Sequence, residues 1–134
     1  MKQKNQKKTI KCDYYKIKEI KDSSSILNIL RECDKSDIYK TFNRIMSDYE
    51  NGIEEVELIL VSDVQPIIMQ QLSLFASYFS IDLLLIKQTN ALKTIFDENV
   101  RVIGVKRGTK TFEKINEVLK NLEMTEKDIY DEKF

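Results

Sequence analysis

Two cations spaced four residues apart are the side chains whose type and position most suggest binding chemistry. On a helix beginning near Ser36, Lys40 and Arg44 would lie on consecutive turns of one face, with Asn43 beside them. The amino end of such a helix presents unpaired backbone N–H groups and the positive end of its dipole. This pattern favours a phosphate oxygen, while Asn43 could contact a base.

Each of these residues also has an ordinary structural interpretation. An exposed lysine or arginine on a helix is usually solvated, or pairs with an acid such as Asp37 or Asp48. Ser36 is a typical N-cap, contributing about 1 kcal/mol whether or not a ligand binds. A second basic cluster at residues 106–110 suits any strand-to-helix turn, and we rank it below the helix at Ser36.

Common catalytic arrangements are absent from the sequence. The chain has no histidine, which removes the most frequent general base together with Ser-His-Asp and Cys-His nucleophiles. Cys12 and Cys33 are too few for a four-ligand zinc site and are expected to be reduced thiols, since no signal peptide is visible. Asp63, near Pro66, has no second carboxylate or glycine-rich loop, which favours a turn role. We expect no enzyme activity, no metal and no cofactor.

Composition and charge suggest one soluble domain with unequal ends. The 134 residues are 42% hydrophobic and carry no net charge, which is not typical of a strongly basic nucleic-acid binder. Eight lysines against three acids give residues 1–22 a local net charge of +5. We predict a basic arm over residues 1–22, a domain over 23–122 and a loose acidic tail over 123–134. Residues 64–81 are uncharged but too polar to span a membrane.

Changes of hydrophobic period predict alternating helices and strands from Ser36 onward. The predicted order is helix, strand, helix, strand, helix, strand, helix, over about residues 36–50, 57–61, 66–79, 83–86, 90–96, 100–105 and 110–122. This order indicates a three-layer α/β/α sandwich around a mixed sheet of about four strands. Residues 15–20 and 24–32 could each be helix or strand.

One stretch carries a resemblance to a known family. Residues 58–66, Leu-Ile-Leu-Val-Ser-Asp-Val-Gln-Pro, resemble the strand, Asp-Val-x-Pro turn and helix start of the kink-turn-binding ribosomal protein superfamily. Residues 81–86 are similar to the family's x-Val-Pro-Tyr strand, and Ala91-Leu92 to the start of its fourth helix. The similarity covers about residues 34–122 and implies the same α/β/α fold and an RNA-binding role.

The family's RNA-contacting helix opens with Gly-x-Asn-x-x-x-Lys or Arg, which we match to residues 34–40. In that register Lys40 takes the basic position, while Asp34 and Ser36 replace the Gly and the Asn. The family's second RNA-facing element corresponds to a short acidic loop at residues 97–99. Together, the resemblance and the helix pattern predict RNA contacts from Lys35, Ser36, Asp37, Lys40, Asn43, Arg44, Asn99 and Arg101.

Among branches of the superfamily, the chain is most similar to the Pop-three-type protein subunit of ribonuclease P and MRP, called Rpp-thirty-eight in animals. This resemblance implies a non-catalytic ribonucleoprotein subunit in tRNA or rRNA processing, nuclear or nucleolar, bound to structured RNA and other protein subunits. We expect neither a membrane nor a small-molecule partner. Two alternatives stay open: a protein–protein interaction module on the same fold, and a divergent ribosomal or small-nucleolar kink-turn binder. If the protein is not a ribonuclease P or MRP subunit we expect it to be cytoplasmic, and we expect it to be intracellular in either case.

Overall fold

A computed structural model describes residues 16–122 and 124–128; Cys12 and most of the predicted basic arm lie outside these ranges. Within the described residues the chain forms six strands and five helices, and a single 3-10 turn over Lys35–Asp37 precedes the second strand. In chain order the elements are β1 Lys16–Ile20, α1 Ser24–Glu32, β2 Ile38–Tyr39, α2 Phe42–Glu50, β3 Val56–Val61, α3 Pro66–Phe79, β4 Asp82–Ile86, α4 Ala91–Phe96, β5 Val102–Lys106, α5 Lys110–Leu119 and β6 Met124–Asp128.

The strands form one mixed sheet in the order β2-β5-β3-β4-β1-β6. Strands β1, β3 and β4 are parallel, and Leu84 at the centre of β4 lies opposite Lys18 of β1 and Leu60 of β3. Strand β5 runs antiparallel to β2 and β3, and β6 runs antiparallel to β1. The apolar runs of β3, β4 and β5 occupy the middle of the sheet, as expected for strands covered on both faces.

Helices cover both faces of the sheet, which confirms the predicted three-layer α/β/α sandwich. One core cluster joins the sheet to α1, α4 and α5, with Ile26, Leu92 and Ile115 fully buried. The other cluster joins it to α2 and α3, with Ile45 and Leu72 fully buried. Since each helix packs a buried apolar side against the strands, each layer closes one face of the sheet.

The sheet has six strands where about four were predicted. Residues 16–20, which the sequence left open between helix and strand, form β1, and residues 24–32 form helix α1. The expectation of a loose tail is wrong for Met124–Asp128, which form β6 beside β1. The sequence of β6, Met-Thr-Glu-Lys-Asp, lacks the apolar run that marks a buried strand. The division into arm, domain and tail stays a prediction, although β1 lies within the predicted arm and β6 within the predicted tail.

The predicted helix at Ser36 is also wrong, because α2 begins at Phe42. Ile38 and Tyr39 are both buried and pair with Val105 and Gly104 of β5. Ile38 lies four residues before Phe42 and therefore fits a helical spacing although it belongs to a strand. Thr41 caps the helix instead: its Oγ1 accepts a hydrogen bond from the Arg44 N–H at 3.2 Å.

Gly104 allows α2 to pack closely against the sheet. A Cβ atom at this position of β5 would lie 2.6 Å from Cδ1 of the fully buried Ile45. Such a distance is well inside normal carbon–carbon contact. The glycine therefore sets the separation between α2 and β5, and with it the position of the first turn of α2.

In the part of the chain that the structure describes, the helices are too short or too polar to span a membrane.

Candidate functional site

A cationic groove lies around β2, the strand at one edge of the sheet. It has a volume of about 400 Å³. Four of its eight lining residues are cations and none is acidic. The lining consists of Lys35, Ser36, Ile38, Tyr39, Lys40, Thr41, Arg44 and Lys106. Because like charges accumulate here without acids in the lining, the groove favours an anion.

The 3-10 turn positions the residues at the beginning of the groove. Asp34 accepts hydrogen bonds from the Ser36 N–H at 3.0 Å and from the Ser36 hydroxyl at 2.9 Å. These bonds hold the pKa of the Asp34 carboxyl below its usual range. The Asp37 carboxylate accepts a hydrogen bond from the Thr111 hydroxyl at 2.9 Å, which joins the turn to α5. The backbone that carries Lys35 is thereby held at both ends of the turn.

Strand β2 is joined to α2 by a buried phenol. The Tyr39 hydroxyl donates a 2.5 Å hydrogen bond to Asp48 Oδ2 on the second turn of α2. Burial, and then the neighbouring Asp48 carboxylate, raises the pKa of Tyr39 well above its usual range, so the phenol stays protonated. This bond fixes the direction of α2 relative to the edge strand. The bond therefore also fixes the position from which the Arg44 side chain projects from α2.

Two of the four cations already have acidic partners. Lys40 Nζ lies 2.6 Å from Glu98 Oε2, and the two side chains are 34% and 54% exposed. Glu98 belongs to the loop between α4 and β5, which therefore reaches the groove. Arg44 Nε lies 3.7 Å from Asp48 Oδ1, and the arginine side chain is 71% exposed. The Lys40–Glu98 pair is exposed and contributes little stability, so a phosphate can replace the Glu98 carboxylate at small cost. Asp48 is only 19% exposed and is also held by the Tyr39 hydroxyl.

The other two cations contact aromatic rings. Lys35 Nζ lies 4.6 Å from the centroid of the Phe96 ring, and Lys106 Nζ lies 5.0 Å from the centroid of the Tyr39 ring. Neither lysine forms an ion pair with a carboxylate in the described residues. A ring face holds an ammonium in place without neutralising its charge. The rings therefore hold these two ammonium groups in place, and no described carboxylate neutralises their charge.

The structure brings together only part of the predicted site. Lys35, Ser36, Lys40 and Arg44 line the groove, whereas Asp37 is bonded to Thr111. The remaining three predicted residues are exposed outside the lining. They are Asn43 on α2, and Asn99 and Arg101 in the loop between α4 and β5.

Sequence reasoning missed the contribution of Lys106. Lys106 is the last residue of β5 and belongs to the cluster that we ranked below the helix at Ser36. The sequence showed that Lys106 ends a β-rich run. The run alone does not show which strand pairs with β5. Thr41 was also missed, because the helical spacing starting at Ile38 obscured the cap.

The observed helix start changes the register of the family motif. In the family that the sequence resembles, Gly-x-Asn-x-x-x-Lys opens a helix, and here Thr41, the cap of α2, lies seven residues after the predicted match at Asp34. Moving the match by seven residues places Thr41 at the Gly position, Asn43 at the Asn position and Ser47 at the basic position. Lys40 then lies before the helix, so its basic charge belongs to the groove and not to a helix face.

The fold and the groove define a class: a three-layer α/β/α domain whose mixed sheet carries a cationic groove at one edge. No family model matches the sequence, and no curated protein matches it. Among solved structures, the chain is similar to a Giardia lamblia 15.5 kD RNA binding protein, with 20% identity and a TM-score of 0.57 over 75% of this chain and 86% of that one. It is also similar to a protein of unknown function from Bacillus halodurans C, with 18% identity and a TM-score of 0.50 over 69% and 91%. These similarities show the fold.

Proposed function

We propose that the chain is a non-catalytic RNA-binding protein that holds the phosphate backbone of a structured RNA in the groove around β2. The observation that carries this proposal is the convergence of four cations, with no acid in the lining, at one edge of the sheet. The Giardia protein of the same fold is named for RNA binding, which supports the proposal.

The four cations would act in two ways. Lys35 and Lys106 contact phosphates directly, because neither forms an ion pair with an acid among the residues that the structure describes. Lys40 exchanges the exposed carboxylate of Glu98 for a phosphate, and Arg44, whose side chain is 71% exposed, contacts a phosphate beside Asp48. Such contacts supply affinity and salt dependence. Preference among RNAs would come from Asn43, Asn99 and Arg101, which lie exposed beyond the rim and can reach bases or sugar hydroxyls.

At a finer level, we propose a subunit of a ribonucleoprotein such as ribonuclease P or MRP, acting in tRNA or rRNA processing in the nucleus or nucleolus. The sequence resemblance over residues 34–122 supports this assignment. Any catalysis in such a particle belongs to the RNA, and other protein subunits would be its partners. Sequencing the RNA that co-purifies with a tagged copy tests this level, and recovery of RNAs of another class would contradict it.

The groove itself is tested with bulk tRNA and a kink-turn hairpin as probes. We expect both to bind the full-length protein at low salt, with affinity falling as salt rises. The double variant Lys35→Ala/Lys106→Ala should bind more weakly and should lower the slope of log affinity against log salt by about 0.7 to 0.9 for each lost phosphate contact. Circular dichroism checks that the variant keeps its fold.

The matched control is Lys93→Ala/Lys114→Ala. These two lysines are exposed on α4 and α5, outside the groove lining, so this variant loses the same charge elsewhere. We expect its affinity to change less than twofold, in line with screened surface charges. Equal losses in the two double variants would show diffuse attraction and contradict the groove. Failure of both probes to bind at low salt would contradict RNA binding.

A second candidate is a protein-interaction module on the same fold. The observation that favours it is the exposure of large apolar side chains on α3, including Tyr78 at 81%. Affinity purification with and without nuclease separates the candidates. Protein partners that stay bound after nuclease treatment favour the module, and loss of every partner together with the RNA counts against it.

A further inference from the structure

The two helical layers differ in how much apolar surface they expose. Among the described residues, six of the seven exposed large hydrophobic side chains lie on α2, on α3 or in the turn after α2; the seventh is Met124 of β6. The layer formed by α1, α4 and α5 contributes none of them. The six are Met46, Ile53, Ile67, Ile68, Leu74 and Tyr78. Apolar surface concentrated on one face is typical of an interaction site.

Helix α3 carries the centre of this surface. Ile67, Leu74 and Tyr78 are 56%, 44% and 81% exposed, and Gln71 between them is also exposed. Their spacing of four, three and four residues places them in one stripe along the helix. No charged residue occurs anywhere from Val64 to Ile81. The stripe is therefore a neutral, mostly apolar ridge about 16 Å long, at 1.5 Å per residue from Ile67 to Tyr78.

The ridge is held firmly by the aromatic residues beneath it. The Phe75 ring lies edge-on to Phe42 and Tyr49 of α2, with centroids 5.2 and 5.1 Å away. Phe79 packs against Tyr49 at 4.6 Å and against Tyr78 at 4.8 Å. Such contacts restrict the motion of α3 relative to α2, so the exposed side chains form a preorganised surface.

We propose that this ridge binds a second copy of the same chain, with the two α3 helices antiparallel across a two-fold axis. The four-three-four spacing is the same in both directions. An antiparallel pairing therefore sets Ile67 opposite Tyr78 of the second copy, and Gln71 opposite Leu74. An interface that uses one patch on both partners must be self-complementary in this way.

Charge also fits a second copy better than a charged partner. The centre of the ridge has no side-chain charge to attract a basic or acidic protein, or a phosphate. Two copies meet there without like-charge repulsion. The antiparallel arrangement also places the positive end of one α3 dipole beside the negative end of the other, and no charged side chain on either helix opposes it.

The size of the face predicts weak association. Helices α3 and α2, about 21 Å and about 14 Å long and about 10 Å wide each, offer roughly 350 Å² of projected surface per copy. Stable interfaces bury about 800 Å² per partner, so this one should form a dimer in a concentration-dependent equilibrium. The proposal does not depend on RNA binding, because the groove around β2 involves neither α3 nor its stripe.

Sedimentation velocity of the full-length chain without RNA, from low micromolar to submillimolar concentration, tests the proposal. We expect a reversible shift from monomer to dimer. Leu74→Glu should raise the dimer dissociation constant about tenfold or more, because it places two carboxylates in the interface. Asn116→Glu, at an exposed position on α5, is the matched control and should not change it. A monomer at every concentration would overturn the proposal, as would a dimer unaffected by both Leu74→Glu and Tyr78→Glu.

The orientation has its own test. Ile67 and Tyr78 lie about 16 Å apart along one helix, too far for a disulfide within a copy. A mixture of Ile67→Cys and Tyr78→Cys proteins should form disulfide-linked dimers faster than either protein alone under mild oxidation. The parent chain controls for Cys12 and Cys33. Equal rates in the mixture and in the separate proteins would overturn the antiparallel arrangement.

Discussion

The four cations of the groove differ in what surrounds each ammonium or guanidinium. Lys35 and Lys106 lie over aromatic rings, whereas Lys40 and Arg44 lie beside carboxylates. A phosphate can pair with Lys35 and Lys106 directly. It must compete with an acid for Lys40 and for Arg44. Affinity should therefore depend most strongly on Lys35 and Lys106, and the acids should weaken binding.

Glu98 provides a residue-scale test of this competition. We expect Glu98→Gln to increase the affinity for a structured RNA by up to about fivefold, because an exposed pair is worth about 0.2–1 kcal/mol and its loss frees Lys40. Fluorescence anisotropy with labelled tRNA measures the change. Glu117→Gln is the control, since Glu117 pairs with Lys120 on α5 at 3.4 Å and lies outside the groove lining. An unchanged affinity, or an equal gain in the control, would show that Glu98 does not compete.

At the scale of elements, the start of α2 decides which side chains the groove receives. Thr41 caps the helix, so Lys40 lies in the short connection after β2 while Arg44 lies in the first turn of α2. A helix that began at Ser36 would have placed both on one helical face. The cap therefore places the two cations in different segments.

Substitution of the cap tests this assignment. Thr41→Ala should lower the free energy of unfolding by about 1 kcal/mol, within a range of about 0.5–2, because the Arg44 N–H loses its side-chain acceptor. Ser36→Ala should cost less, since Asp34 still accepts the backbone N–H of residue 36. Urea titration followed by circular dichroism compares the two. A larger cost for Ser36→Ala would indicate that the helix begins there.

The turn after β3 also links separate elements. Asp63 adopts a positive φ of 58°, and its carboxylate accepts a 2.7 Å hydrogen bond from the Asn90 N–H, just before α4. Aspartate tolerates this left-handed conformation better than most residues. The carboxylate thus joins the turn before α3 to the start of α4, in agreement with the turn role expected for it.

At the scale of the whole molecule, the groove and the α3 ridge are separate surfaces with opposite chemistry. The groove is cationic and lies at the sheet edge; the ridge is uncharged and lies on one helical layer. The groove lining contains no residue of α3. A dimer of the proposed kind would then present two RNA-binding grooves.

This separation predicts that the two activities can be changed independently. Leu74→Glu should leave the affinity for tRNA, measured at protein concentrations where the chain is monomeric, within about twofold, as expected for a surface change away from the contacts. Lys35→Ala/Lys106→Ala should leave self-association unchanged in sedimentation velocity. Loss of RNA binding in Leu74→Glu would show that the surfaces are coupled.

The layered architecture follows from hydrophobic patterns within single segments of the chain. Strands β3, β4 and β5 are buried on both faces, and α3, α4 and α5 are buried on one side, so each has a hydrophobic period that is visible within its own residues. The absence of histidine, and the basic residues near positions 35–44, were equally visible. These are local properties, and local properties can be read from a single chain.

The edges of the sheet and the composition of the groove depend instead on contacts between distant segments. Strand β2 has two residues and β6 is polar, so neither has a local signal; each forms because a distant strand offers its backbone hydrogen bonds. Lys35 and Lys106 are far apart in sequence and meet around β2 because Ile38 pairs with Val105. The pairing of β2 with β5 is non-local, and no spacing within either segment specifies it.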